Sequence, residues 1–100
     1  AALTTLTRDH PDIEAHALWF ADGAWSDAVG EVLDAEEIAF YAEGLLDEGF
    51  GLHWQVLAEV EAPKEPLLVR LFFWQSGDAP TPAPVDNGWL VMAEGQTPAA

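Results

Sequence analysis

Two hydrophobic periodicities divide the chain. Between Asp34 and Gly49, the residues Ile38, Tyr41, Ala42, Leu45 and Leu46 recur at helical spacing and make one apolar face. Asp34 is a good N-cap, and Glu37 three residues later completes a capping-box pattern. Gly49 is placed for a left-handed stop, with Phe50 free to fold back on the last turn. The pattern predicts a helix from about Ala35 to Glu48.

Elsewhere the period is two. From Leu52 to Glu61 the residues alternate, with Trp54, Val56, Ala58 and Val60 on one side. Leu67 to Gln75 is apolar on both sides, as a central strand would be. Pro63-Lys64-Glu65-Pro66 reads as the hairpin loop between them. A four-residue loop sets Glu59 opposite Arg70, Val60 opposite Val69, Ala58 opposite Leu71 and Val56 opposite Phe73. That register gives a uniform apolar face and a cross-strand ion pair. A last strand, Trp89 to Ala93, follows the Asn87-Gly88 turn signal.

The first third admits two readings. Ala17–Phe20 and Ala24–Ser26 around Asp22-Gly23 make a hairpin with a two-residue turn, and Val29–Leu33 continues it. Alternatively, Asp9-His10-Pro11-Asp12 starts a helix that Gly23 stops. The hairpin is preferred. Asp78 to Asn87 reads as an extended, mobile Pro-rich loop, and Gln96 to Ala100 as a frayed tail. Together these elements predict one α+β domain spanning residues 1–100. It has a mostly antiparallel sheet of four to five strands, with one principal helix packed on a face.

Composition narrows the function classes. Half of the 100 residues are hydrophobic, with five Trp and five Phe, which is core material rather than the make-up of a disordered chain. There is no Cys, which excludes disulfides, thiolate metal sites and a Cys nucleophile. No apolar run approaches the roughly 20 residues of a membrane-spanning helix. A cytoplasmic address fits, and so does a removed leader before Ala1. Against 18 Asp and Glu stand only Arg8, Lys64 and Arg70, for a net charge of −15. Such a field repels nucleic acid and anionic membranes and attracts basic protein surfaces. It equally serves solubility alone.

Candidate chemistry is sparse. Ser26 and Ser76 lie in no nucleophile elbow, and no Gly-rich phosphate loop is present. No catalytic residue, cofactor or enzymatic activity is expected. Asp9, His10, Asp12 and His16 would converge on a helix, but their spacing matches no metal-ligand signature, so no metal is expected either. On the predicted helix, Glu36, Glu43 and Asp47 project within about 40° of one another, with Phe40 among them. An aromatic in an acidic stripe either packs under a second layer or anchors a partner.

The predicted hairpin also has a second apolar face. Leu57, Leu68, Phe72 and Trp74 lie there, which one helix cannot cover as well. The N-terminal segment with Trp19 and Phe20, the Pro-rich loop, or another copy of the chain must cover it. Three functional expectations follow. The first is a non-catalytic interaction module that binds a basic partner surface through Glu36, Phe40, Glu43 and Asp47. The second is a homodimer or higher assembly through Leu57, Leu68, Phe72 and Trp74, with the acidity serving solubility. The third is a small-ligand site near Trp54 and Trp89. The first suits the composition of small acidic inhibitors, such as toxin-neutralising immunity proteins and nucleic-acid mimics.

Overall fold

Asp22 (φ 53°) and Gly23 (φ 78°) both lie in the left-handed region, the backbone a two-residue hairpin turn requires. They join β1 (Glu14–Ala21) to β2 (Ala24–Leu33), so the hairpin reading of the first third holds. The computed structural model describes residues 8–9, 13–61 and 66–100.

The helix α1 (Ala35–Asp47) begins and ends as its sequence predicts. Asp34 Oδ1 accepts from the Glu37 backbone N–H at 2.9 Å, and Glu37 Oε1 accepts from the Asp34 N–H at 3.4 Å. At the other end Gly49 (φ 91°) turns the chain. Its N–H bonds the Leu46 carbonyl at 3.0 Å, and the Phe50 N–H bonds the Leu45 carbonyl at 3.1 Å. This paired closure satisfies carbonyls that the helix end would otherwise leave open.

Three strands complete the sheet: β3 (Gly51–Glu59), β4 (Pro66–Trp74) and β5 (Trp89–Thr97). Their order across the sheet is β2-β1-β4-β3-β5. Only the β1–β4 pair is parallel; the other neighbours run antiparallel. The fold is therefore α+β, with a five-stranded, mostly antiparallel sheet and α1 on one face. β4 is central, as its two-sided apolar sequence requires.

The β3–β4 register departs from expectation. Val56 lies opposite Val69, Trp54 opposite Leu71, Leu52 opposite Phe73 and Gln55 opposite Arg70. The pairing is displaced by four positions, and an irregularity sits between Leu57 and Ala58. An even displacement keeps every side chain on its face, so alternation could not distinguish the two registers. The supposed Glu59–Arg70 pair misled, because Arg70 is served by Gln55 and by backbone carbonyls instead. Val60 consequently lies beyond the strand and is exposed. The last strand also runs further than predicted. Gln96, expected in a frayed tail, lies opposite His53, and the Ala100 N–H bonds the Gly49 carbonyl at 2.9 Å.

The core forms between α1 and one sheet face. Ile13, Ala15 and Ala17, then Leu52 and Val56, then Val69, Leu71 and Phe73 bury against Ile38 and Ala42. Ala15 and Ala17 leave room for the helix to approach. Trp19 packs edge-on to Tyr41 and Phe50 and lies 5.3 Å from Phe73 between ring centroids. Its indole N–H is buried and has no hydrogen-bond partner among the described residues.

Candidate functional site

The outward face of α1 and the second face of the sheet hold the residues that the sequence singled out. Glu36, Phe40, Glu43 and Asp47 are all exposed, along one side of the helix. Phe40 is 82 % exposed, the largest value among the exposed large hydrophobic residues. A shallow depression of about 260 Å³ beside it is lined by Glu36, Glu37, Phe40 and Tyr41. Gly44, one turn further on, is bare, and a Cβ there would meet nothing within 4 Å. Phe40 thus stands proud of the surface, with acids before and after it.

The helix end adds a second electrostatic feature. Glu36 and Glu37 occupy the first turn, where the helix dipole favours negative charge. The last turn holds no basic residue. Asp47 and Glu48 instead lie against the negative pole, an arrangement each cation brought nearby would relieve by about 0.3–1 kcal/mol.

On the second face, Leu57 (2 %), Phe72 (0 %) and Trp74 (2 %) are buried, and Leu68 is half-buried. The chain covers them itself. Between β4 and β5, the Pro-rich segment Asp78–Asn87 folds back as a strap. The Trp25 Nε1–H donates to the Thr81 carbonyl at 2.7 Å. Arg70 donates to the Ala83 carbonyl at 2.6 Å and to the Pro84 carbonyl at 3.1 Å. The Trp74 Nε1–H reaches the Gly77 carbonyl at 3.3 Å. Three of the four residues expected on an open assembly face are therefore interior, with Leu68 half-buried beside them, and the strap is bonded across that face.

Arg70 organises this face. Its guanidinium lies 4.8 Å from the Phe72 ring centroid, a cation–π distance. It also donates twice to Gln55 Oε1, at 3.2 and 2.7 Å. Burial lowers its pKa from the ordinary value, which Asp86 partly opposes. Gln55, the one buried polar residue among those described, passes the chain of bonds on to Glu94 at 3.3 Å. Glu94 also accepts from His53 Nε2 at 2.9 Å, while His53 Nδ1 faces Gln96 Oε1 at 3.3 Å. Hydrogen bonds from His53 and then Gln55 hold the Glu94 carboxyl below its usual pKa. The sequence marked Arg70 alone of this network, because the wrong register hid Gln55 from it.

The remaining candidates do not converge. His16 lies in β1, which rules out the helical spacing its metal reading needed, and His10 and Asp12 lie outside the described residues. No group of three or more metal-ligating side chains occurs among the described residues. Trp54 sits opposite Gly95, whereas Trp89 is opposite Glu59, five positions along β3, so the two indoles share no pocket. Trp89 instead borders a depression of about 460 Å³ with Glu59, Val60, Glu61, Asn87 and Gly88. No helix among the described residues is long and apolar enough to cross a membrane. No protein-family model, curated protein or solved structure matches this chain.

Proposed function

We propose that the protein is a non-catalytic, acidic interaction module that binds a basic protein surface through the outward face of α1, acting as an inhibitor of that partner in a cytoplasmic setting. The observation that carries this reading is Phe40, 82 % exposed within the stripe of Glu36, Glu43 and Asp47. A bare aromatic costs solubility where it stands and gains energy only by burial. The acids around it favour a cationic partner, and bare Gly44 leaves space beside the ring for a partner side chain. Asp47 and Glu48 at the negative helix pole add to the attraction. In this reading Phe40 supplies affinity as a central anchor, and the acids speed association and set salt sensitivity.

Capture of partners from native extract at low and at high salt tests this. A specific basic partner is retained at low salt and released at high salt. Its affinity falls by about 2 kcal/mol with Phe40→Ala, the loss of a buried aromatic anchor. Retention that ignores salt, or that survives Phe40→Ala combined with Glu43→Lys, overturns the proposal.

A further inference from the structure

The strap closes on the sheet in a way that identifies what the sheet is shaped to hold. In Ala79-Pro80-Thr81-Pro82-Ala83-Pro84 every second residue is proline, with φ fixed near −65°. Each intervening residue precedes a proline and is pushed to extended or polyproline conformations. Such a chain enters a polyproline II helix with little entropy left to lose, at three residues per turn. Its burial has that period: Ala79 and Pro80 half-buried, Thr81 exposed, Pro82 and Ala83 half-buried, Pro84 exposed. Two sides of a three-sided rod face the sheet and one faces solvent.

The surface beneath has the matching parts. Trp25, which is bonded to the strap, packs edge-on to buried Phe72 at 4.9 Å and to Phe20 at 5.2 Å between ring centroids, with Phe20 itself 37 % exposed. A polyproline helix leaves its carbonyls without internal partners, and here donors stand ready for them. Trp25 Nε1 serves Thr81, and the Arg70 fork serves Ala83 and Pro84. Aromatic walls with an indole donor are how Pro-rich segments are recognised elsewhere.

The geometry points to the Phe20–Trp25–Phe72–Arg70 surface as a polyproline-binding groove, occupied in cis by the strap and open to a Pro-rich peptide in trans when the strap is released. This surface is separate from the α1 face, and the inference does not depend on the reading of Phe40. A tethered segment has an effective concentration of order mM, so an outside peptide reaches only the small fraction of grooves whose strap is out. Weakening the strap must therefore raise apparent affinity for the peptide.

The test is calorimetric titration of the full chain with synthetic Ala-Pro-Thr-Pro-Ala-Pro-Val. Three forms are compared: unaltered, Pro80→Gly with Pro82→Gly, and that pair with Trp25→Phe added. The glycine pair is expected to bind at least about tenfold more tightly than the unaltered chain, because its strap has lost its preformed conformation. Adding Trp25→Phe, which keeps an aromatic ring but removes the N–H, is expected to cost about tenfold. Near-UV circular dichroism verifies that each variant keeps its tertiary packing. The inference is overturned if the folded glycine pair binds no better than the unaltered chain. Equal binding of a peptide with the prolines replaced by alanine, or indifference to Trp25→Phe, overturns it too.

Discussion

Trp54 lies across Gly95, its partner on the neighbouring strand, so closely that a Cβ on Gly95 would stand 2.6 Å from Cζ2 of the indole. Trp74 covers Gly51 in the same manner on the other side of β3. In each pair the indole fills the space a side chain would occupy, one large residue serving two sheet positions.

Gly95→Ala should therefore destabilise the fold by about 1–3 kcal/mol, the usual cost of forcing a methyl into filled space. Urea unfolding measures it. Trp54→Leu in the same chain should recover part of the loss, because the clash is with the indole; an additive double variant would contradict the pairing.

Gly44 predicts the opposite sign. It sits inside α1 with open space where its Cβ would be. Gly44→Ala should stabilise the protein by about 0.5–1 kcal/mol, as helix propensity dictates. Because the methyl lies beside Phe40, the same variant should weaken a partner that uses the gap. Higher stability with lower affinity would be the signature of a surface kept open for binding.

Arg70→Met keeps an unbranched apolar stem and deletes the guanidinium that lies over Phe72, with all its donors. Gln55 and the carbonyls of Ala83 and Pro84 lose their partner. The expected cost is about 2 kcal/mol, appropriate to bonds from a charged donor. Limited proteolysis should then cut between β4 and β5 faster than in the unaltered chain. Unchanged cleavage would mean that Arg70 does not hold the strap.

Glu94 gives a pH dependence of defined sign. Its carboxyl is held below the ordinary value of 4.5 by His53 and Gln55. A depressed folded pKa contributes stability above the unfolded value, lost as pH falls through the folded one. Glu94→Gln should thus be less stable than the parent near about pH 6 and approach it on acidification, as the carboxylate takes up its proton. Denaturant midpoints across that range provide the comparison, which cancels the other acids. A gap that widened on acidification would contradict the assignment.

Much of the fold was legible because local chemistry decides it. Asp34, Glu37 and Gly49 specify α1 through bonds within a few residues of each other, and Asp22-Gly23 specifies its turn. What was illegible depends on distance along the chain. The β3–β4 register turns on an irregularity at Leu57 and on Gln55, a neutral residue whose role appears only once Arg70 and Glu94 flank it. The parallel contact of β1 with β4 leaves no local trace at all. At the candidate sites, helical spacing was enough to place Phe40 among its acids. The cover over Phe72 and Trp74 was legible only as one of three candidates, the Pro-rich loop among them, because alternation marks a face as apolar without saying what closes it.

That parallel contact has a consequence for how the molecule comes into being. Glu14 pairs with Leu68, across more than half the chain. During synthesis, β1, β2 and α1 leave the ribosome before β4 exists to join them, and the rest of the sheet forms only later. Long-range pairings of this kind make folding slow. While β4 is awaited, Ala15 and Ala17 have no sheet beyond them, and aromatic surface around Trp19 and Trp25 stands open. With acids on every copy, like-charge repulsion opposes association of surface so exposed.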